Sequence, residues 1–179
     1  MMMRLTELPQ PVIARVHGIA TAAGCQLVSM CDLAVAAETA SFALPGVNIG
    51  VFCSTPVVGV VRNVGRKRAM EMLLTGQLFD AQTALAWGLV NRVVPSDQLD
   101  AAVQSFTDVI RARSAATIRM GKAAFYSQIE RPLEGAYDDR QRDDGVQHGH
   151  RRCELKGSTR SWKSGPPRLV RPLSPPQLS

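Results

Sequence analysis

The residues best placed to do chemistry follow an apolar run, Val12 to Val16. Gly18 to Gly24 reads Gly-Ile-Ala-Thr-Ala-Ala-Gly, a turn of small side chains, and a helix begins near Ala23 and ends close to Asp32. The first N–H groups of a helix have no intrahelical partner, and the helix dipole places partial positive charge there. With side chains as small as Ala22, Ala23 and Gly24, a ligand oxygen can approach those donors. That is the construction of an oxyanion hole. The same small residues also let a strand and a helix pack closely, and the local sequence leaves both readings open.

Other candidates are weaker. Cys53 and Ser54 stand just before Pro56, where a helix N-terminus could lower the pKa of a thiol. Their structural reading is that Ser54 caps the helix and Cys53 is a small buried apolar residue. His17 is the one histidine before residue 138, but it precedes the turn, and a histidine at the end of an apolar strand is more often packed than catalytic. Cys25 and Cys31 are six residues apart, point to different helix faces and read as core. Trp87, Phe106 and Phe125 also read as core. The four cysteines lack Cys-x-x-Cys spacing, so no metal site is expected. His148, His150, Arg151 and Arg152 lie in a segment without periodicity, where a ligand patch has little support.

The positioning elements read as alternating strand and helix signals, an α/β arrangement. Strand-like runs at Leu33 to Ala37 and Ser41 to Leu44 follow the first helix. Ser54 or Thr55 caps a short helix that has Pro56 in its first turn and runs to Asn63. Lys67 to Leu74 forms a helix ended by Gly76. Asp80 caps Ala81 to Trp87, and Gly88 stops it. Leu89 to Val94 returns as a strand. Apolar spacing then marks helices over Asp97 to Arg111 and Ile118 to Ile129.

The ordered string from Pro11 to Gly50 resembles the enoyl-CoA hydratase/isomerase (crotonase) superfamily. Its signature is close to P-V-I-A-x-V-x-G-x-A-x-G-G-G-C-E-L-x-x-x-C-D followed by F-x-x-P-E-x-x-x-G, and Pro11 to Asp32 and Phe42 to Gly50 follow it. Gly65, Ala69 to Glu71, Leu74 to Gly76, Ala81, Ala84, Gly88 to Val90 and Val93 to Pro95 extend the match. The resemblance implies a spiral of strand-strand-helix units, truncated here, with C-terminal helices. It implies Ala23 N–H as an oxyanion donor and Ala22, Gly24, Pro45, Gly50, Cys53 and Ser54 as substrate-binding positions. The ligand is then an acyl-CoA thioester, with coenzyme A as part of the substrate and no separate cofactor.

Two departures bear on activity. The family's catalytic glutamates fall at Gln26 and Gly46. Hydration needs one carboxylate to activate water and one acid to deliver a proton. An amide does neither near neutral pH, and glycine has no side chain. Similarity to a subgroup sharing both losses leaves two alternatives. One is an acyl-CoA-binding protein of fatty acid metabolism with part of the oxyanion hole. The other is a non-catalytic crotonase-fold fragment acting by binding or assembly. Gln26 itself reads either as a hydrogen-bonding contact to thioester or water, or as a relic.

Composition narrows the rest. The net charge of +6 divides unevenly: residues 1–137 hold 12 Lys/Arg against 10 Asp/Glu, and residues 138–179 hold 9 against 5. A near-balanced body gives no nucleic-acid surface. No run is long enough to span a membrane. Unpaired thiols suit a cytoplasmic or mitochondrial matrix location, with no targeting segment in this chain. The resemblance implies a homo-oligomer built on trimers. Relatives begin upstream of the Pro11 strand and continue as helix beyond Tyr137, where this sequence turns basic and proline-rich, with five of 11 prolines after Lys163. The expected division is a partial crotonase-like domain over 1–137 and a disordered tail over 138–179, produced by a change of reading frame near codon 138.

Overall fold

A computed structural model of the protein describes residues 1–137. The expected tail lies outside the described residues. Met1–Arg131 form one compact unit, and a second begins at Pro132, of which only residues 132–137 are described.

After the short helix α1 (Met2–Glu7), the chain enters β1 (Ile13–Val16) and then β2 (Ile19–Thr21). The helix α2 (Ala23–Met30) follows, then β3 (Leu33–Ala37) and β4 (Ser41–Ala43). The first four strands alternate between two sheets. β1 pairs in parallel with β3, Ile13 opposite Leu33 and Val16 opposite Ala36, and β2 pairs in parallel with β4, Thr21 opposite Ala43. This is the expected strand-strand-helix spiral. β6 (Arg92–Val94) adds in parallel to β3, and the two-residue β5 (Phe79–Asp80) adds antiparallel to β4.

β3 shows why the run Leu-Ala-Val-Ala-Ala is apolar throughout. Successive side chains point to opposite faces of a sheet. Ala34 and Ala36 join the main core with Cys25, Phe42, Leu44 and Met72, while Val35 and Ala37 pack with Leu99 on the other face. Both faces are covered, as in buried parallel sheets.

The remaining helices are α3 (Pro56–Val60), α4 (Arg66–Thr75), α5 (Ala81–Trp87), α6 (Leu99–Arg111) and α7 (Ala115–Gln128). The Asp80 carboxylate accepts from Thr83 N–H at 2.7 Å, and Gly76 and Gly88 end their helices at φ of 60° and 86°. That backbone bond to Thr83 also holds the Asp80 pKa below the usual carboxylate value.

Several expectations change. The turn expected over Gly18 to Gly24 contains β2, because Ile19–Thr21 find a backbone partner in β4 that no local signal announces. Pro56 does open α3, but neither Ser54 nor Thr55 caps it through a side chain. The strand expected over Leu89 to Val94 begins at Arg92. Before it, Asn91 mimics strand pairing: its N–H donates to Ala34 O at 2.8 Å and its Oδ1 accepts from Ala34 N–H at 2.7 Å. Phe125 is not core but 50% exposed. Cys31, Trp87 and Phe106 are only partly buried, and His17 is exposed, not packed, one residue past β1.

Candidate active site

Parallel pairing of β2 with β4 sets two chain ends side by side. Past Thr21 comes Ala22 and the start of α2; past Ala43 come Leu44, Pro45 and Gly46. The Ala22 N–H donates to Ala43 O at 3.0 Å and fixes that edge. Ligands commonly bind beyond the carboxyl ends of parallel strands.

Ala22 is the N-cap of α2 and has φ 48° and ψ −115°, the one described non-glycine residue with positive φ. Such a conformation costs of order 1–3 kcal/mol and gathers at functional sites. Its carbonyl accepts the first bond of the helix, from Gln26 N–H at 3.0 Å. The N–H groups of Ala23, Gly24 and Cys25 donate to no acceptor among the described residues, and no side chain caps the helix. The Ala23 donor is therefore available, and Ala23 is exposed.

Gln26 sits one turn into the helix and is 8% exposed. Its Nε2 donates to the Thr55 carbonyl at 3.2 Å. This places Cys53, Ser54 and Thr55 beside the first turn of α2. Close packing of α3 on α2 supports the arrangement. A Cβ on Gly59 would come within 2.9 Å of Met30 Sδ, and Asn63 Nδ2 donates to both Ser29 O (2.8 Å) and Gly59 O (2.9 Å).

Gly46 is buried in the 3-10 segment Pro45–Ile49. A Cβ there would strike the Val51 carbonyl oxygen and lie 2.8 Å from Cys53 Sγ. Position 46 is thus closed by the returning chain, and Val51 N–H donates to Gly46 O at 2.9 Å. Pro45 is half-buried at the start of the segment, and Gly50 ends it, exposed, at φ 75°. Ser54 is exposed and Cys53 buried. Burial, with the nearby Cys53 charge second, pushes the Cys25 thiol up to about 12, so it is not a nucleophile near neutral pH.

The geometry gathers Ala22, Ala23, Gly24, Gln26, Pro45, Gly46, Cys53 and Ser54, and leaves Gly50 on an outer turn. A separate groove of about 360 Å³, lined by Pro9, Pro11, Ile13, Ile110, Arg111 and Arg113 among others, includes none of these residues.

Comparison with known proteins decides the family. The family description Enoyl-CoA hydratase/isomerase matches residues 1–158. This chain belongs to that family. Enoyl-CoA hydratase domain-containing protein 3, mitochondrial, of Mus musculus is 50% identical over 136 residues, 76% of this chain and 45% of the relative. The crystal structure of human enoyl-CoA hydratase domain-containing protein 3 shares 42% identity at a TM-score of 0.77, covering 90% of this chain and 66% of that one. An enoyl-CoA hydratase structure from Mycobacterium smegmatis shares 54% identity at a TM-score of 0.80, covering 82% and 57%. The chain spans about half the length of the curated relatives it matches. The match also runs past Tyr137, to residue 158.

Within this enoyl-CoA hydratase/isomerase chain, one cluster escaped the sequence reading. Asp32, just past α2, accepts from Val12 N–H (2.6 Å) and Lys122 Nζ (2.6 Å) on Oδ2 and from Tyr126 OH (2.8 Å) on Oδ1. Lys122 Nζ also donates to Leu5 O at 2.8 Å and Gln10 O at 3.0 Å, which uses all three of its protons. Burial raises the Tyr126 and Cys31 pKa values, with the Asp32 carboxylate as the next cause in each. The available signal was Lys122 itself, four residues from Ile118 and Tyr126 on the half-buried face of α7.

Proposed function

We propose that this chain binds an acyl-CoA thioester and polarises its carbonyl through the Ala23 N–H, without hydrating it by a two-carboxylate mechanism. The supporting observation is the run of unpaired N–H groups at Ala23 to Cys25, next to Gln26 and a Gly46 too enclosed for any side chain. An anion forming on the thioester oxygen is stabilised by donors already in place, which do not reorganise during reaction. Removing one such donor typically costs about 2.7–4 kcal/mol of transition-state stabilisation. Ala22, Gly24, Pro45, Cys53 and Ser54 form the walls of this site, and Gly50 shapes the loop that leads to it.

The mouse relative is mitochondrial, which supports a mitochondrial location, and membership of the family supports a role in fatty acid metabolism and assembly of several copies. A second reading, a family member acting by binding or assembly alone, is favoured by Gln26 and Gly46 standing where the family's catalytic glutamates fall. A direct test is an assay with short 2-enoyl-CoA substrates together with calorimetry using butyryl-CoA. Measurable thioester binding without hydration supports the first reading. Hydration that disappears in Gln26→Ala contradicts it, and absence of any thioester binding favours the second.

A further inference from the structure

The groove at the amino end of β1 joins two features that call for one kind of ligand. It holds about 360 Å³ and shares no residue with the candidate active site. Ile13, Ile110 and Ile118, each half-buried, give it apolar walls. Arg111, the last residue of α6, and Arg113, in the turn before α7, bring two positive charges to the same groove. Neither guanidinium makes a hydrogen bond or ion pair with a described residue. Among the described residues no Asp or Glu lines the groove.

One wall is fixed in advance. Residues 9–13 carry Pro9 and Pro11, whose rings lock φ. Lys122 Nζ donates to Gln10 O at 3.0 Å, and Val12 N–H donates to Asp32 Oδ2 at 2.6 Å. These bonds tie the wall to the buried Asp32–Lys122 pair. A ligand therefore does not have to order it, which removes one of the costs of association.

Exposed arginines alone select nothing, and an apolar groove alone takes any apolar body. Together they match an anionic head on a hydrocarbon chain. A carboxylate suits the guanidinium fork, which stays charged at every ordinary pH. The volume lies at the low end of the range of about 300–1,000 Å³ for small-molecule sites, so a short chain fits and a protein segment does not. We propose that this groove is a second ligand site, which binds a medium-chain monocarboxylate. Arg111 and Arg113 hold the carboxylate, and the chain lies along Ile13, Ile110 and Ile118. Affinity then rises with chain length, by up to roughly fourfold for each methylene that is fully buried.

The experiment titrates octanoate into the 179-residue chain by calorimetry, with amide shifts of the nitrogen-15-labelled protein to place the ligand. Wild type is expected to bind octanoate with Kd of about 0.1–1 mM, and to shift amides at residues 9–13 and 107–118. Octanol, with the same chain and no charge, is expected to bind at least about tenfold more weakly. Arg111→Gln/Arg113→Gln is expected to weaken octanoate about tenfold and to leave octanol unchanged. Circular dichroism melts confirm folding, and Arg113→Gln alone carries the test if the double variant does not fold. Octanoate binding absent at 10 mM, equal affinity for octanol, or indifference to both substitutions overturns the site. Displacement of octanoate by butyryl-CoA overturns it too, because the chain would then occupy the thioester site. Failure of butyryl-CoA to bind, with octanoate still held, overturns the thioester reading and leaves the groove standing.

Discussion

At the residue scale the sharpest physical conflict is Ala22. A methyl side chain occupies a conformation that glycine adopts freely, at φ 48°. Ala22→Gly removes that strain, and the added freedom of glycine in the unfolded chain takes back about 0.5–1 kcal/mol. The expected outcome is a net gain of about 1 kcal/mol, read as a higher melting temperature. A lower one contradicts the claim of strain. Gln26 makes a second case. In Gln26→Glu the Thr55 carbonyl faces a carboxylate, two acceptors in a nearly buried place. A loss of about 1–3 kcal/mol at neutral pH is expected. The carboxyl can donate to Thr55 once protonated, so its folded pKa is raised above the unfolded value. The variant's deficit should then shrink as pH falls toward 4 and grow as pH rises. A deficit independent of pH between 4 and 8 would show that the amide's direction is not set by Thr55.

At the element scale, α2 is held at both ends by different means. Its N-terminus is tied to β4 through Ala22 and to Thr55 through Gln26. Beyond its C-terminus, Asp32 joins the Gln10–Val12 segment to α7 through Lys122 and Tyr126. The Asp32 and Lys122 side chains are 16% and 7% exposed. Removing one member of such a pair leaves the other buried without compensation, at about 3–5 kcal/mol. Lys122→Met and Asp32→Ala are each expected to lose that much in denaturant unfolding, and their combination to lose less than the sum. Additive losses would mean that the two act separately. Tyr126 gives the cluster a pH signature. Its folded pKa is raised from 10.0, chiefly by burial and next by the Asp32 bond, so its contribution is present below pH 10 and lost above it. Tyr126→Phe is expected to flatten the fall of melting temperature above pH 10.

At the scale of the whole molecule, one stretch of chain beside the site carries several exposed apolar side chains. Ile49, Val51, Phe52, Val58 and Val61 are 80%, 57%, 48%, 50% and 37% exposed, all within the segment that runs from the 3-10 turn past α3. Where such exposed apolar side chains join into a patch they mark association. Analytical ultracentrifugation is expected to show self-association that rises with protein concentration and weakens in Val51→Ser/Phe52→Ser. A monomer at all concentrations would remove the physical basis for proposing assembly. No described helix is long and apolar enough to cross a membrane.

What the sequence determined is local or carried by matching residues. Asp80, Gly76 and Gly88 announced their helix ends because capping and left-handed turns are written in single side chains. The apolar run Leu33 to Ala37 announced a strand, and the ordered matches from Pro11 to Gly50 announced the family; that β3 is covered on both faces appeared only in the structure. The order of residues also fixed which side chains stand at positions 26 and 46. Only the tertiary structure decided what those positions mean. Gly46 is enclosed because Val51 and Cys53 return across it, Gln26 is one-directional because Thr55 O lies opposite, and β2 exists because β4 lies beside it. Asp32, Lys122 and Tyr126 form one cluster across more than 90 residues of chain. Each depends on a partner distant in sequence, whose direction no local propensity encodes.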